Sequence, residues 1–326
     1  VLLPLLVNAH DLEVNGFYFN IVSDADLTVE VTHKGNSHVE YSNEYSGAID
    51  IPEMVTYASK TYRVIAIDDY AFSQCRNLKS VFIPKSVDEI RSYAFNECIY
   101  LDSIFISEGV SKIGYNAFRN CSKLVFISIP ESVTEIDSYA LNTTGWYKKQ
   151  TDGVVYAGNV LYKYKGTMPL DAAIEIKEGT ISISQSAFFD CSNLASLTIP
   201  GSVVSIGNYA FGGCTSLREL TLKDGNDTLS LGYNNYNWNS SSDNQGESLF
   251  YHCPLERIYL GRNLKYETGA QYGFSPFYNK SELISVTIGD GVCSMGDYAF
   301  SNCSSISTIK IPDRVIELGD YAFCNC

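Results

Sequence analysis

Ten cysteines, four histidines and a surplus of carboxylates are the residues of this 326-residue chain that could do chemistry. In an exported chain, ten cysteines ordinarily point to disulfides; at zinc-site spacing from histidines they point to a metal. Their positions here argue for a different role. Cys75, Cys98, Cys121, Cys191, Cys214, Cys253, Cys303 and Cys326 each lie three residues after a recurring phenylalanine. Equivalent side chains on neighbouring strands run about 4.8 Å apart, beyond the roughly 3.5–4.5 Å between Cβ atoms that a disulfide prefers. The eight are therefore expected to form a ladder of buried thiols acting as small hydrophobes. Cys293 and Cys324 fall off that ladder and are the two expected to be reactive or paired.

The remaining polar residues fit no catalytic pattern. His10, His33, His38 and His252 lack a second His or Cys at zinc-site spacing, and the chain has no G-x-S-x-G, phosphate loop or dinucleotide-binding glycine motif. His33 and His38 could bracket a metal near the N-terminus, but solvated loop histidines account for both. Asp68 and Asp69 make a carboxylate pair of the kind acid–base catalysis uses. They sit, however, on a recurring bend beside Ser92, Asn116 and Asp320, where short polar residues suit a turn. Asp224-Gly-Asn-Asp227 and Asp243-Asn-Gln-Gly-Glu247 offer oxygen ligands without calcium-loop spacing. Asn-x-Ser/Thr sequences at Asn142, Asn226, Asn239 and Asn279 read as surface loops. No catalytic residue, metal or cofactor is expected.

What positions these residues is a repeat. Ile67-Asp-Asp-Tyr-Ala-Phe72-Ser-Gln-Cys75 returns as Ile90 to Cys98, Ile113 to Cys121, Ile183 to Cys191, Ile206 to Cys214, Met295 to Cys303 and Leu318 to Cys326. Phe72, Phe95, Phe118 and Leu141 are spaced by 23 residues, as are Phe188 and Phe211, and Phe277, Phe300 and Phe323. Each copy continues into a second apolar pattern, such as Leu78-x-x-Val81-x-Ile83-Pro84 and Leu124-x-x-Ile127-x-Ile129-Pro130. The last two apolar residues of that spacing share one side of a short strand. A single 23-residue unit cannot bury its own apolar face, so neighbours must stack, with the strands forming a parallel sheet backed by the Ala-Phe segments. The expected fold is a β-rich solenoid. The composition agrees: 24 Tyr and 24 Gly against 3 Met favour strands and loops over helices.

The string Ile-x-x-x-Ala-Phe-x-x-Cys-x-x-Leu-x-x-Ile-x-Ile-Pro-x-x-Val resembles the 23-residue leucine-rich repeat of BspA-like, or treponemal-type, bacterial surface proteins. The resemblance covers roughly residues 51–326, with many copies agreeing at about eight positions each. It implies a leucine-rich-repeat solenoid, horseshoe-like, with a parallel sheet on one face and short helical or turn segments on the other. Where a common leucine-rich repeat has Asn after the strand, these copies often have Pro, so the backbone at that bend must be bonded differently.

The repeats are bordered and interrupted. Val1-Leu-Leu-Pro-Leu-Leu-Val-Asn-Ala9 reads as the end of a signal-peptide core closing on a small-x-small site, too short to span a membrane. Residues 10–50 read as an N-terminal β cap and residues 51–326 as the repeats. Insertions are expected at about 142–170, where Thr151 to Gly166 reads as a hairpin turning at Ala157-Gly-Asn159, and at 223–248, an Asn/Tyr/Trp-rich surface loop around Trp238. The array stops in mid-repeat after Phe323-Cys-Asn-Cys326, which predicts a longer natural chain.

Binding on a repeat array is read out where strand side chains point outward and align across copies. The outward positions run Ser80 and Phe82, Ser103 and Phe105, Phe126 and Ser128, Ser196 and Thr198, Glu219 and Thr221, Arg257 and Tyr259, Ser285 and Thr287, Thr308 and Lys310. Most are Ser or Thr. Phe82, Phe105 and Phe126 would instead show a phenyl cluster to solvent, the usual mark of a contact site, unless the cap or the hairpin covers it. Tyr259 and Trp238 are the further candidates, because Tyr, Trp, Asn and Ser suit adaptable recognition.

Charge narrows the partners. With 23 Lys+Arg against 37 Asp+Glu the chain carries −14 and no basic run, which disfavours nucleic acid and anionic lipid. No apolar run is long enough to insert in a membrane. The expectation is a monomeric, non-catalytic adhesion or recognition protein, secreted or displayed at a bacterial surface, binding a host matrix protein, another cell or a glycan, as the resemblance implies. The alternatives are a targeting module for an enzyme domain beyond residue 326, or a spacer.

Overall fold

The computed structural model describes residues 10–35, 37, 43–235 and 246–326. The chain forms two compact units, residues 1–150 and 151–326. Both are β-rich repeat folds built mainly from parallel strands, and among the described residues the only helix is the single turn Gly145–Lys149.

In the first unit, Leu12–Val14, Phe17–Ser23 and Thr28–Thr32 form an antiparallel meander. Its last strand pairs in parallel with Lys60–Ile67, and the ladder continues through the two-residue strands Glu89–Ile90, Lys112–Ile113 and Glu135–Ile136. A second parallel sheet runs Gly47–Asp50, Leu78–Ile83, Ser103–Ile106, Phe126–Ser128. The 23-residue period sets the register: Phe82 lies opposite Phe105, Ile83 opposite Ile106, and Ile90 opposite Ile113.

The second unit repeats this plan. Gly153–Ala157 and Val160–Lys165 form an antiparallel hairpin whose second strand leads a parallel ladder through Ser182–Ile183, Ser205–Ile206, Leu229–Leu231 and Leu264–Lys265. The other sheet is Ala172–Glu175, Leu194–Ile199, Glu219–Leu222, Arg257–Leu260, Ser285–Ile288. Residues 306–311 carry the strand spacing but join no ladder. They stand apart from Val286–Ile288 around an open hollow of about 530 Å³.

Of the helical or turn segments expected away from the main sheet, the structure gives turns, each preceded by a strand of a second parallel ladder that was not expected. Within the turn Ala71, Ser73 and Cys75 donate to Asp68 O, Tyr70 O and Phe72 O, while the alternate N–H groups reach the next coil: Tyr70 N–H donates to Ser92 O, Phe72 to Ala94 O and Gln74 to Asn96 O, at 3.1, 2.7 and 2.7 Å. A helix would direct those donors back along its own chain. Two residues per bend pay for this geometry by taking left-handed backbone, Tyr70 and Gln74 in one coil, Tyr93 and Glu97 in the next. The one helix starts where the cysteine position holds Thr144, whose hydroxyl accepts the Tyr147 N–H as an N-cap.

Between the two ladders runs the core. Phe72, Phe95 and Phe118 are fully buried and stack with centroids 4.8 and 5.3 Å apart. Within the second unit Phe188, Phe211, Phe250, Phe277, Phe300 and Phe323 form a column of their own at 5.2–5.8 Å. Proline after the strand is accommodated because its carbonyl closes a tight turn. Val87 N–H donates to Pro84 O, Val133 to Pro130 O and Val203 to Pro200 O.

Candidate recognition surface

The groups that could do chemistry are taken up structurally. Most ladder thiols do more than fill space. Sγ of Cys98, Cys121 and Cys303 donates to the carbonyl of the phenylalanine one coil earlier, Phe72, Phe95 and Phe277, at 3.0–3.1 Å. All ten cysteines are free thiols, the ladder members mostly buried, Cys293 and Cys324 half-buried. Burial pushes the pKa of Cys75 and Cys253 up to about 12 and that of Cys191 and Cys303 up to about 11, which removes the thiolate that nucleophilic or metal chemistry needs.

Among the described residues no group of three or more His, Cys, Asp or Glu side chains could hold a metal. His10 and His33 bond to the Lys34 and Gly35 carbonyls, His252 lies 3.1 Å from Glu247, and His38 lies outside the described residues. Asp68 accepts bonds from Asn20, Thr32 and Arg91, and Asp69 accepts the Ser92 N–H on the next bend. The carboxylate pair is turn architecture. Among the described residues no helix is long and apolar enough to cross a membrane.

Two buried cations escaped the sequence reading. Lys280 stands three residues after Phe277, in the cysteine position, and its Nζ donates to Phe250 O, Tyr251 O and Cys253 O at 2.6, 2.8 and 3.0 Å. Arg262, fully buried, donates to the carbonyls of Pro200, Gly201 and Val203. Burial lowers the basicity of both. The Lys280 signal was present as the one basic residue in a column of thiols; nothing in the period marks Arg262.

Solvent meets chemistry on the sheet face of the first unit. Val81, Ile83, Ile104, Ile106 and Ile127 point inward, so the alternate side chains point out. Phe82, Phe105 and Phe126 are 44%, 46% and 48% exposed. They do not share one row. Phe82 and Phe105 are directly opposite on adjacent strands, with Asp50 and Ser128 as the next residues along that row. Phe126 stands in the neighbouring row opposite Ser103, its ring 5.0 Å from that of Phe105. Exposed Val125 lies beside it. At the margin Tyr100 is 40% exposed, with Nζ of Lys79 and Lys123 at 4.5 and 4.4 Å from its ring centroid.

Of the other predicted residues, Tyr259 is half-buried on the sheet face of the second unit, in a row with Thr198, Thr221 and Thr287. Its hydroxyl donates to the Asp224 carboxylate, 3.0 Å from both oxygens, beside an open hollow of about 530 Å³ that also involves Thr221 and Lys223. Lys223 is held by Glu175 and Glu178 at 2.9 and 3.0 Å. Trp238 lies outside the described residues, and the expected surface loop 223–248 is corrected: Leu229–Leu231 joins the parallel ladder and Tyr233–Asn235 pairs antiparallel with Glu247–Ser248.

Comparison with known proteins agrees with the repeat. A leucine-rich repeat protein of Bacteroides ovatus is similar at 20% identity over 97% of this chain and 92% of its own, with a TM-score of 0.39. A leucine rich cell surface protein of Faecalibacterium prausnitzii is similar at 24% identity over 97% and 86%, also at 0.39. The T. pallidum leucine rich repeat protein is similar at 16% identity over 93% and 91%, at 0.30. No curated protein matches. The family described as the BspA type leucine rich repeat region matches residues 41–151 and 183–326, in six copies, and omits the stretch that holds the 153–165 hairpin. With the greater part of its length covered in this way, the chain belongs to the BspA-type leucine-rich repeat family.

Proposed function

We propose that this chain is a non-catalytic recognition protein, exported and displayed at a bacterial surface, whose repeats form runs of solenoid that present a binding face to an extracellular protein or glycan. Family membership supports a binding role. The observation that supports locating it on this sheet face is the exposure of Phe82, Phe105 and Phe126, where the corresponding positions of the second unit carry mostly Ser and Thr. Rigid aromatic side chains held on a sheet offer large contact area at little cost in conformational entropy, and such residues dominate binding energy at interfaces. The phenyl rings do nothing for the fold that Ser does not do at equivalent positions, which is what separates them from core residues.

The test is binding of the purified chain to immobilised matrix proteins, mucins and glycans beside an F82S/F105S/F126S variant. Saturable binding that weakens about a hundredfold or more in the variant, with unchanged circular dichroism, is the expected result. Equal binding by both proteins would remove the site from this face. Absence of any binding would leave the chain as a spacer.

A further inference from the structure

We propose that the margin of the aromatic patch is a carboxylate clamp, made by Lys79 and Lys123 on either side of Tyr100, and that the partner of this face is an acidic protein segment. The inference rests on the reading that this sheet face binds, and it adds the chemistry of what is bound.

The two lysines come from the coils before and after Tyr100, and both ammoniums are drawn to the same ring. Four cations of the first unit are neutralised by carboxylates, among them Arg76 by Glu97 at 2.8 Å, Lys112 by Glu135 at 2.9 Å and Arg91 by Glu30 and Asp68. Lys79 and Lys123 are exposed and, among the described residues, unpaired. Asp102, on the strand between them, accepts a hydrogen bond from Ser103 Oγ at 2.8 Å and pairs with neither. Two like charges are thus fixed beside one another on a chain of net charge −14. A bound carboxylate relieves their repulsion, and the ring already holds the lysine side chains, which reduces the ordering cost on binding.

The rest of the patch selects among anions. Phe82, Phe105, Phe126 and Val125 form an apolar centre with the cations at its edge, the arrangement of a protein interface with its core and charged rim. A sulfated polysaccharide would use the ammoniums and leave the rings in water. A neutral ligand would use the rings and leave the ammoniums unanswered. A segment that carries carboxylates together with apolar side chains uses both.

The experiment titrates the full chain with two fluorescent twelve-residue peptides, one alternating Leu and Glu and the other Leu and Gln, with heparin as a polyanion that lacks apolar side chains. The Glu peptide is expected to bind saturably and about tenfold tighter than the Gln peptide at low ionic strength, and to weaken as salt is added. K79Q/K123Q is expected to abolish that preference while thermal unfolding stays unchanged. Equal affinity for the two peptides, no binding of either, or wild-type behaviour of K79Q/K123Q overturns the clamp. Heparin binding tighter than the Glu peptide, lost in the same variant, overturns the protein partner. A ligand from the matrix and glycan panel that is lost in F82S/F105S/F126S but untouched by K79Q/K123Q leaves the binding face standing and removes the clamp alone.

Discussion

Phe72 O receives two donors, the Cys75 N–H of its own bend and the Cys98 thiol of the next coil; Phe95 O likewise receives the Cys98 N–H and the Cys121 thiol, and Phe277 O the Cys303 thiol. Where Lys280 replaces the thiol, its ammonium takes the equivalent carbonyl, Phe250 O. The position therefore requires a donor to the preceding coil as well as a buried side chain, and cysteine supplies both with little desolvation. Protonation is then linked to stability. The folded Cys75 thiol keeps its proton up to about pH 12, against an ordinary value of 9.0, and burial raises Cys98 in the same direction. Above pH 9 the unfolded chain loses protons that the folded chain retains, so stability that is fully present below pH 9 is lost as pH rises toward 12 and beyond. Each such thiol contributes roughly a tenfold fall in the folding constant per pH unit within that window. Urea unfolding of the first unit between pH 8 and 11 should show this decline, and C75A/C98A should reduce its slope by about two protons. An unchanged slope would mean that the thiols are not the linked groups.

At the scale of the element, the close stacking of coils is most exacting where the chain leaves the strand. Gly109 sits at φ +125° with an ideal Cβ only 2.3 Å from Lys85 O of the preceding coil, so a side chain there meets a backbone carbonyl that cannot yield without parting the ladder. Gly179 in the second unit has a φ of +82° and nothing within 4 Å of its Cβ position. Gly109→Ala is expected to cost about 3 kcal/mol, the strain of the backbone plus the clash, and Gly179→Ala about 1 kcal/mol, the strain alone. Denaturant midpoints decide between them; equal losses would show that the coil contact adds nothing. The same closeness explains how far the sequence could be read. The main sheet was legible because Leu-x-x-Val-x-Ile at period 23 names both its buried face and its register, and the outward Phe82, Phe105 and Phe126 followed from it. The second ladder was not legible, because Glu89–Ile90 or Lys112–Ile113 is too short to show a strand's alternation and pairs only because the neighbouring coil is in register. Nor was the left-handed backbone of Tyr70 and Tyr93, a conformation bulky residues avoid, imposed here by the bonds from their N–H groups to the next coil and accompanied by ring stacking at 4.8 Å. Tyr100 and Lys123 stand just before the leucine that opens each strand pattern and Lys79 just after one, so the period located the rings of the patch but not its charged margin.

For the molecule as a whole, each unit is held by contacts between one coil and the next, which makes the period itself the quantity under constraint. A stack of this kind tolerates the loss of a whole repeat, because removal brings together two coils that present the same surfaces. It does not tolerate a change of phase, because one residue of slip sends every inward side chain of a strand outward. Deleting residues 96–118 removes 23 residues and joins Phe95 to Arg119, so that Phe95 is again followed three positions later by a cysteine, Cys121, and Ile90 again meets an isoleucine, Ile136, in the next coil. Deleting residues 96–117 removes 22 and places Phe118 where Asn96 or Arg119 belongs, shifting every later position of the first unit by one. The first variant is expected to keep a β-rich circular dichroism spectrum and cooperative unfolding at a lower midpoint; the second should lose the first unit's transition and aggregate through its unpaired strands. The in-phase deletion also removes Tyr100 and Phe105 while leaving Phe82, Phe126, Lys79 and Lys123 in place. It should therefore lose acidic-peptide binding although it remains folded, which separates the demands of the repeat from those of the surface it carries. Similar behaviour of the two deletions would mean that local folding, and not register between coils, holds the first unit together.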